Sequence, residues 1–194
     1  MIGDEDAHEV VMYDACVLYP YTLRDTLISL SKIRKFRARW TEKINKEWTS
    51  TLLHKSPGVS AERLMRTCEL MSQAVPDAII EGYEHHIDKL LLPDADDRHV
   101  LAAAIHAEAG KIVTENIKHF PKNIVSTWDI EVCRPDAFVA GLLKDYPTEV
   151  LKELKRQRLR LIRPPQTVDE FLASLTRVGL NVTVNMLRED AELL

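Results

Sequence analysis

Asp97 stands at the head of an apolar stripe. Val100, Leu101, Ala104 and Ile105 follow it by three, four, seven and eight positions, the spacing of one helix face. Asp14 interrupts the otherwise apolar run Val10-Val-Met-Tyr-Asp-Ala-Cys-Val-Leu18. Glu47 shares a helical stripe with Trp40, Ile44, Trp48, Thr51 and Leu52. A carboxylate that faces inward must be paired, protonated or bound to a cation. Two carboxylates about 4 Å apart repel by roughly 4 kcal/mol at an effective dielectric near 20, so acids that converge need a positive charge between them. The sequence-adjacent Arg98 lies on a different helical face from Asp97. An all-oxygen site suits Mg²⁺ or Mn²⁺. One or two such ions activate a water and stabilise the leaving oxygen when a phosphodiester is cut. In that chemistry Asp14 ligates, Asp97 shares the ion, and Glu47 binds a second ion or orients the water. Each acid alone also has a plainer reading. Asp94, Asp96 and Asp97 can cap a helix, Asp14 can bond its own backbone in a turn, and Glu47 can pair with a buried Arg or Lys.

The flanking pattern supplies elements that could position these acids. The run from 10 to 18 suits a strand buried on both faces, with Asp14 near its carboxyl end. Helical spacing covers 22–36, and 37–40 reads as a connector or brief strand. Thr41 caps a second helix through about His54. After the break at Ser56-Pro-Gly58, Ser60 opens a third helix to about Ala74. Ala78 to Gly82 reads as a short strand and Tyr83 to Leu91 as a helical turn or two. His85 and His86, being adjacent, are expected to point apart as surface residues. A helix from Asp97 to Ala109, stopped by Gly110, leads into a strand at 111–114. Helix followed at once by strand is half of a βαβ crossover, in which the helix starts where the parallel strands finish. Asp14, Asp97 and Asn116 should therefore gather at one sheet edge, where ligands bind in open α/β sheets. Asn116 and His119 close the group. Further short strands are expected in 124–132, then helices at 135–143, 147–161 and 167–178, and a loosely held tail after Gly179. Pro164-Pro165 is the strongest linker signal, and the helix before it carries Lys152, Lys155, Arg156, Arg158 and Arg160. That run is the best candidate for touching phosphates, although a solvated face is the plainer reading.

Composition narrows the partners. The chain has 194 residues, 45% hydrophobic and 29% charged, which is enough for one core plus a small appendage. Its net charge of −4 means that any nucleic-acid contact must come from a local basic patch. Cys16, Cys68 and Cys133 are odd in number and scattered, with no CxxC and no partnered His spacing, which suggests a reduced, cytoplasmic protein without a zinc site. The acidic N-terminal stretch does not resemble a secretory signal. No apolar run approaches a membrane span.

Taken as a set, Tyr-Asp14-Ala-Cys-Val-Leu, Glu47 in Lys-Glu-Trp, Asp-Asp97-Arg-His-Val-Leu-Ala-Ala-Ala and Val-Thr114-Glu-Asn116-Ile-Lys-His119-Phe resemble a PIN domain in order and spacing. The resemblance covers about residues 9–133. It implies a three-layer α/β/α fold on a parallel sheet and an endoribonuclease that needs Mg²⁺ or Mn²⁺. In many bacterial members, the VapC-type toxins, an antitoxin protein blocks that activity, and homodimers are common. Carried over, Asp14 is the first acid, Glu47 the second and Asp97 the third, with Asp94 or Asp96 as substitutes if the helix starts earlier. The family often places Asp where this chain has Asn116 or His119. Asn keeps an oxygen without the charge, which weakens the case for a second metal. These features divide the chain into a nuclease-like domain, 1–133, and a helical extension, 134–194, that packs on the core or receives a partner. The alternative is a catalytically weakened PIN-like module that binds RNA or protein. A phospho-receiver domain also collects acids at a sheet edge, but it needs a lysine at the end of a late strand, and Lys111 precedes its strand.

Overall fold

The computed structural model describes residues 9–194, so the acidic stretch before Glu9 lies outside the described residues. Four short strands form one parallel sheet in the order β2-β1-β3-β4: β1 (Val10–Tyr13), β2 (Arg37–Arg39), β3 (Lys111–Val113) and β4 (Glu131–Cys133). Val10 pairs with Arg37, Val11 with Lys111, and Lys111 with Glu131. Val11, Met12, Tyr13, Ile112 and Val113 are fully buried, as expected of central strands covered on both faces. The edge strands are more polar. In Arg37-Ala-Arg39 the alanine alone is buried.

Parallel neighbours cannot be joined by a hairpin, so helices cross between them. After β1 come α1 (Ala15–Leu18) and α2 (Tyr21–Ser31). After β2 come α3 (Glu42–Lys55), α4 (Ala61–Ala74) and α5 (Arg98–His106), and α6 (Lys122–Val125) precedes β4. The result is a three-layer α/β/α sandwich with a C-terminal set of helices: α7 (Pro135–Asp145), α8 (Pro147–Arg160), α9 (Val168–Arg177) and α10 (Asn181–Leu187). Thr41 and Ser60 cap α3 and α4 as the sequence predicts, and Thr167 with Glu170 forms a full capping box on α9.

Several boundaries differ from the sequence reading. The first strand stops at Tyr13, because Asp14 caps α1 by accepting from Ala15 N and so ends the ladder. The segment after α4 makes one bridge, Trp40 to Ile79, rather than a strand. α5 ends at His106, and Glu108 takes the left-handed turn (φ 52°) expected of Gly110. Gly110 instead immediately precedes β3: its N–H donates to Val10 O, and a Cβ there would lie 2.8 Å from Glu9 Oε1. Between 122 and 128 the chain is helical rather than extended, with Asp129 at φ 56° turning it into β4. The region after Gly179 is not loose. α10 buries Thr183, Val184 and Leu187.

His85 and His86 also depart from expectation. They lie in the 3₁₀ segment Glu84–Lys89, with ring centroids only 4.0 Å apart, and both turn toward His106.

Candidate active site

β1 delivers Asp14 to the carboxyl edge of the sheet, and the residues after β3 arrive beside it. Asp14 is nearly fully buried, yet its carboxylate is well supplied with donors. Oδ1 accepts from Ala15 N at 2.6 Å. Oδ2 accepts from Thr114 Oγ1 at 2.6 Å and from Cys16 Sγ at 3.1 Å. Burial, and then the charge of Asp14, push the Cys16 thiol up to about 12, so it stays a neutral donor. Thr114 Oγ1 in turn accepts from Asn116 N at 2.9 Å. Asn116 therefore joins the site through its backbone, which the residue type alone does not reveal.

Asp97 ends a 3₁₀ turn, Ala95–Asp97, that opens α5. Its side chain makes no capping bond, so capping does not account for it. It lies instead 2.5 Å from His119 Nδ1, and Asp94 approaches the same nitrogen at 3.5 Å. Among the described residues Asp94, Asp97 and His119 form a cluster whose ligand atoms lie within 4.8 Å of one another. Burial raises the Asp97 carboxyl above its ordinary range, the charges of Asp14 and Asp94 push the same way, and His119 opposes them. Asp96 is exposed and contributes only its backbone N–H, which donates to Asp94 Oδ1 at 3.0 Å.

Glu47 projects from α3 and meets α5 rather than another acid. Its Oε1 lies 2.8 Å from Nε2 of His99, a residue 2% exposed on the first turn of α5. Its partner is thus an imidazole, where the sequence reading offered Arg or Lys. His99 is the site residue that sequence reasoning missed. Helical spacing alone could have flagged it, because position 99 falls beside the buried stripe of Val100 and Ala103. With Nε2 donating to the carboxylate, the buried Nδ1 is left without a partner.

The expected triad therefore does not form one cluster among the described residues, and its acids are distributed around α5 in two parts. Asp97 feels the charge of Asp14 and sits with Asp94 and His119, while Glu47 is tied to the same helix through His99. The donors fit a divalent ion that accepts one nitrogen among oxygens. Lys111 begins β3 at the opposite sheet edge and pairs with Glu9 and Glu131. A phospho-receiver lysine is therefore not at this site.

The basic run of α8 lies elsewhere and is largely engaged. Arg158 donates to the carbonyls of Gln166 and Leu194, and Lys155 to that of Leu193. Arg156 pairs with Glu153, and Arg160 with Asp25, Glu153 and Ser29 Oγ. Lys152 is exposed.

Residues 10–118, more than half of the chain, match the family described as PIN domain. Residues 135–189 match the family described as VapC50 C-terminal domain. A Mycobacterium tuberculosis (strain ATCC 25618 / H37Rv) protein named "Putative ribonuclease VapC50" is 37% identical over 79 residues, which is 41% of this chain and 47% of that protein. The match thus spans about half of that relative's length. No solved structure matches.

Proposed function

Because the chain belongs to the PIN-domain family, we propose that it is a divalent-metal-dependent endoribonuclease of the VapC type. The observation that carries this reading is the placement of Asp97, with Asp94 and His119 at one sheet edge and under the charge of Asp14. Such a concentration of carboxylates needs a cation to be stable when ionised. Asp14, Asp94 and Asp97 would hold it, with His119 and Asn116 beside them. Bound there, a Mn²⁺ or Mg²⁺ ion supplies Lewis-acid stabilisation of phosphate charge and a more acidic water.

The chain's own residues do the rest. Thr114, Cys16 and Ala15 N–H fix the Asp14 carboxylate, so its orientation does not depend on a ligand. His99 aims Glu47, which serves as the second acid that orients the attacking water. His119 next to Asp97 substitutes a titratable cation for the acid that the family often carries there. In its neutral form it can take a proton at Nε2 or ligate; in its protonated form it competes with the metal for Asp97.

The test is cleavage of unstructured RNA with Mn²⁺ by the purified chain and by Asp14→Asn and Asp97→Asn. Loss of cleavage in both variants, with native circular dichroism, supports the reading; undiminished cleavage by both would falsify it. The alternative, a weakened PIN-like module, is favoured by His119 and Asn116 standing where acids are common. RNA binding by the wild type without any cleavage in Mn²⁺ would establish it instead. We further propose a cytoplasmic setting, an antitoxin partner and a homodimer. Among the described residues no helix is long and apolar enough to cross a membrane. Light scattering of the purified chain measures the dimer directly, and co-purification of a small protein with the chain expressed in its own host tests the antitoxin.

A further inference from the structure

At the end of α5 remote from Asp97, His106 faces the segment Glu84–Lys89, and His85 and His86 of that segment turn toward it. The His85 and His106 centroids are 5.7 Å apart, those of His86 and His106 6.1 Å, and those of His85 and His86 4.0 Å. One ring nitrogen of each lies within 4.8 Å of the others. The ion pairs made by histidine among the described residues belong to His99 and His119, so no carboxylate pair explains this grouping. Three imidazoles gain little from mutual contact at a solvated surface, and each protonation would oppose the next.

Two details give the cluster the character of a ligand set. His85 Nδ1 lies 2.8 Å from Gly82 O, so this nitrogen carries the proton and donates it to the carbonyl. That fixes the tautomer and leaves Nε2 with its lone pair free, the arrangement usual for a metal-bound histidine. Gly82 itself holds φ +79°, and a Cβ there would lie 3.7 Å from His106 Nε2. The left-handed glycine thus turns the chain so that one carbonyl orients the first ring while the backbone lies against the third.

We propose that His85, His86 and His106 bind one divalent ion of the zinc class, at a site separate from the acidic one. An all-imidazole set selects Zn²⁺, Ni²⁺, Co²⁺ or Cu²⁺ over Mg²⁺ and Mn²⁺, which prefer oxygen. Zn–N bonds of about 2.0–2.1 Å in a tetrahedron require the nitrogens to approach to about 3.4 Å. With His85 held by Gly82, the exposed His106 ring is the one free to turn toward the ion. The fourth position falls to water. The nine residues of α5 separate the two sites by roughly 13 Å at 1.5 Å per residue. The ion would clamp the 84–89 segment to the helix whose other end presents Asp97.

The full chain, Asp97→Asn, and the Asp97→Asn chain carrying in addition either His106→Asn or the triple set His85→Asn/His86→Asn/His106→Asn are titrated with Zn²⁺ by calorimetry and with Co²⁺ by visible absorption, so that the acidic site is disabled wherever the histidines are tested. The wild type and Asp97→Asn should each take up Zn²⁺ and give cobalt d–d bands from nitrogen ligation. His106→Asn should weaken uptake at least about tenfold, as loss of a ligand costs no less than loss of its support, and the triple variant should lose both signals. Circular dichroism checks that the triple variant is folded. Uptake that survives the three histidine substitutions in the Asp97→Asn background, that vanishes with Asp97→Asn alone, or that never occurs overturns the proposal.

Discussion

Asp97 illustrates how a single acid can cost stability for function. Its carboxyl holds its proton more tightly when folded than when unfolded, chiefly through burial and then through Asp14 and Asp94. The stability it contributes is therefore complete below the ordinary Asp range, near pH 3.9, and is lost as pH rises through the raised value. Asp97→Asn, neutral throughout, should melt at a higher temperature than the wild type at pH 7 in EDTA. Added Mn²⁺ should reverse that order, because it stabilises only the chain that can bind it. Melting curves in the two buffers check both halves. His99 tests positioning. His99→Gln keeps a donor near Glu47 but in a looser side chain, so Mn²⁺-dependent cleavage should fall about 10- to 100-fold with the fold retained. A variant cleaving at the wild-type rate would show that Glu47 needs no aiming.

At the scale of elements, caps and turns matter more than strand strength, since each strand holds only three or four residues. Asp136 of α7 shows the economy of such contacts. Its carboxylate accepts from Val182 N at 2.8 Å, Thr183 N at 2.9 Å and Thr183 Oγ1 at 2.8 Å, so one helix caps the start of α10 on another. Asp136→Ala should cost about 1–2 kcal/mol in urea unfolding and should increase hydrogen exchange first in α10. This contact spans 46 positions, and no local pattern announces it. By contrast, Thr41, Ser60 and Thr167 are caps readable from the sequence, because their partners lie three residues away. The same distinction separates what could be read of α5 from what could not. Its apolar stripe was plain, whereas the pairing of His99 with Glu47 requires α3 and α5 to be packed together.

At the scale of the whole molecule, the C-terminal helices are part of the core. Phe138 of α7 packs edge-on against Tyr13 and Phe36, with centroids 6.3 and 5.1 Å away. Gln157 of α8 donates to Thr26 Oγ1 across a fully buried contact with α2. Phe138→Ala should therefore destabilise the chain by about 3–5 kcal/mol. A truncation after Cys133 should lose its cooperative thermal transition rather than leave a smaller nuclease domain. Calorimetry of both variants decides whether the two regions behave as separate units.

The amino-acid sequence determined the parallel sheet, most helix positions and the residues bearing carboxylates. Buried strands, amphipathic stripes and local caps are all short-range patterns, written within a few residues of one another. Tertiary structure decided which of those residues meet: Asp97 with Asp94 and His119, Glu47 with His99, and His106 with His85 and His86. It also decided that the tail is helical and packed. These outcomes depend on how helices are placed against one another, and that placement follows from burying every stripe at once, a condition that no single stretch of chain contains.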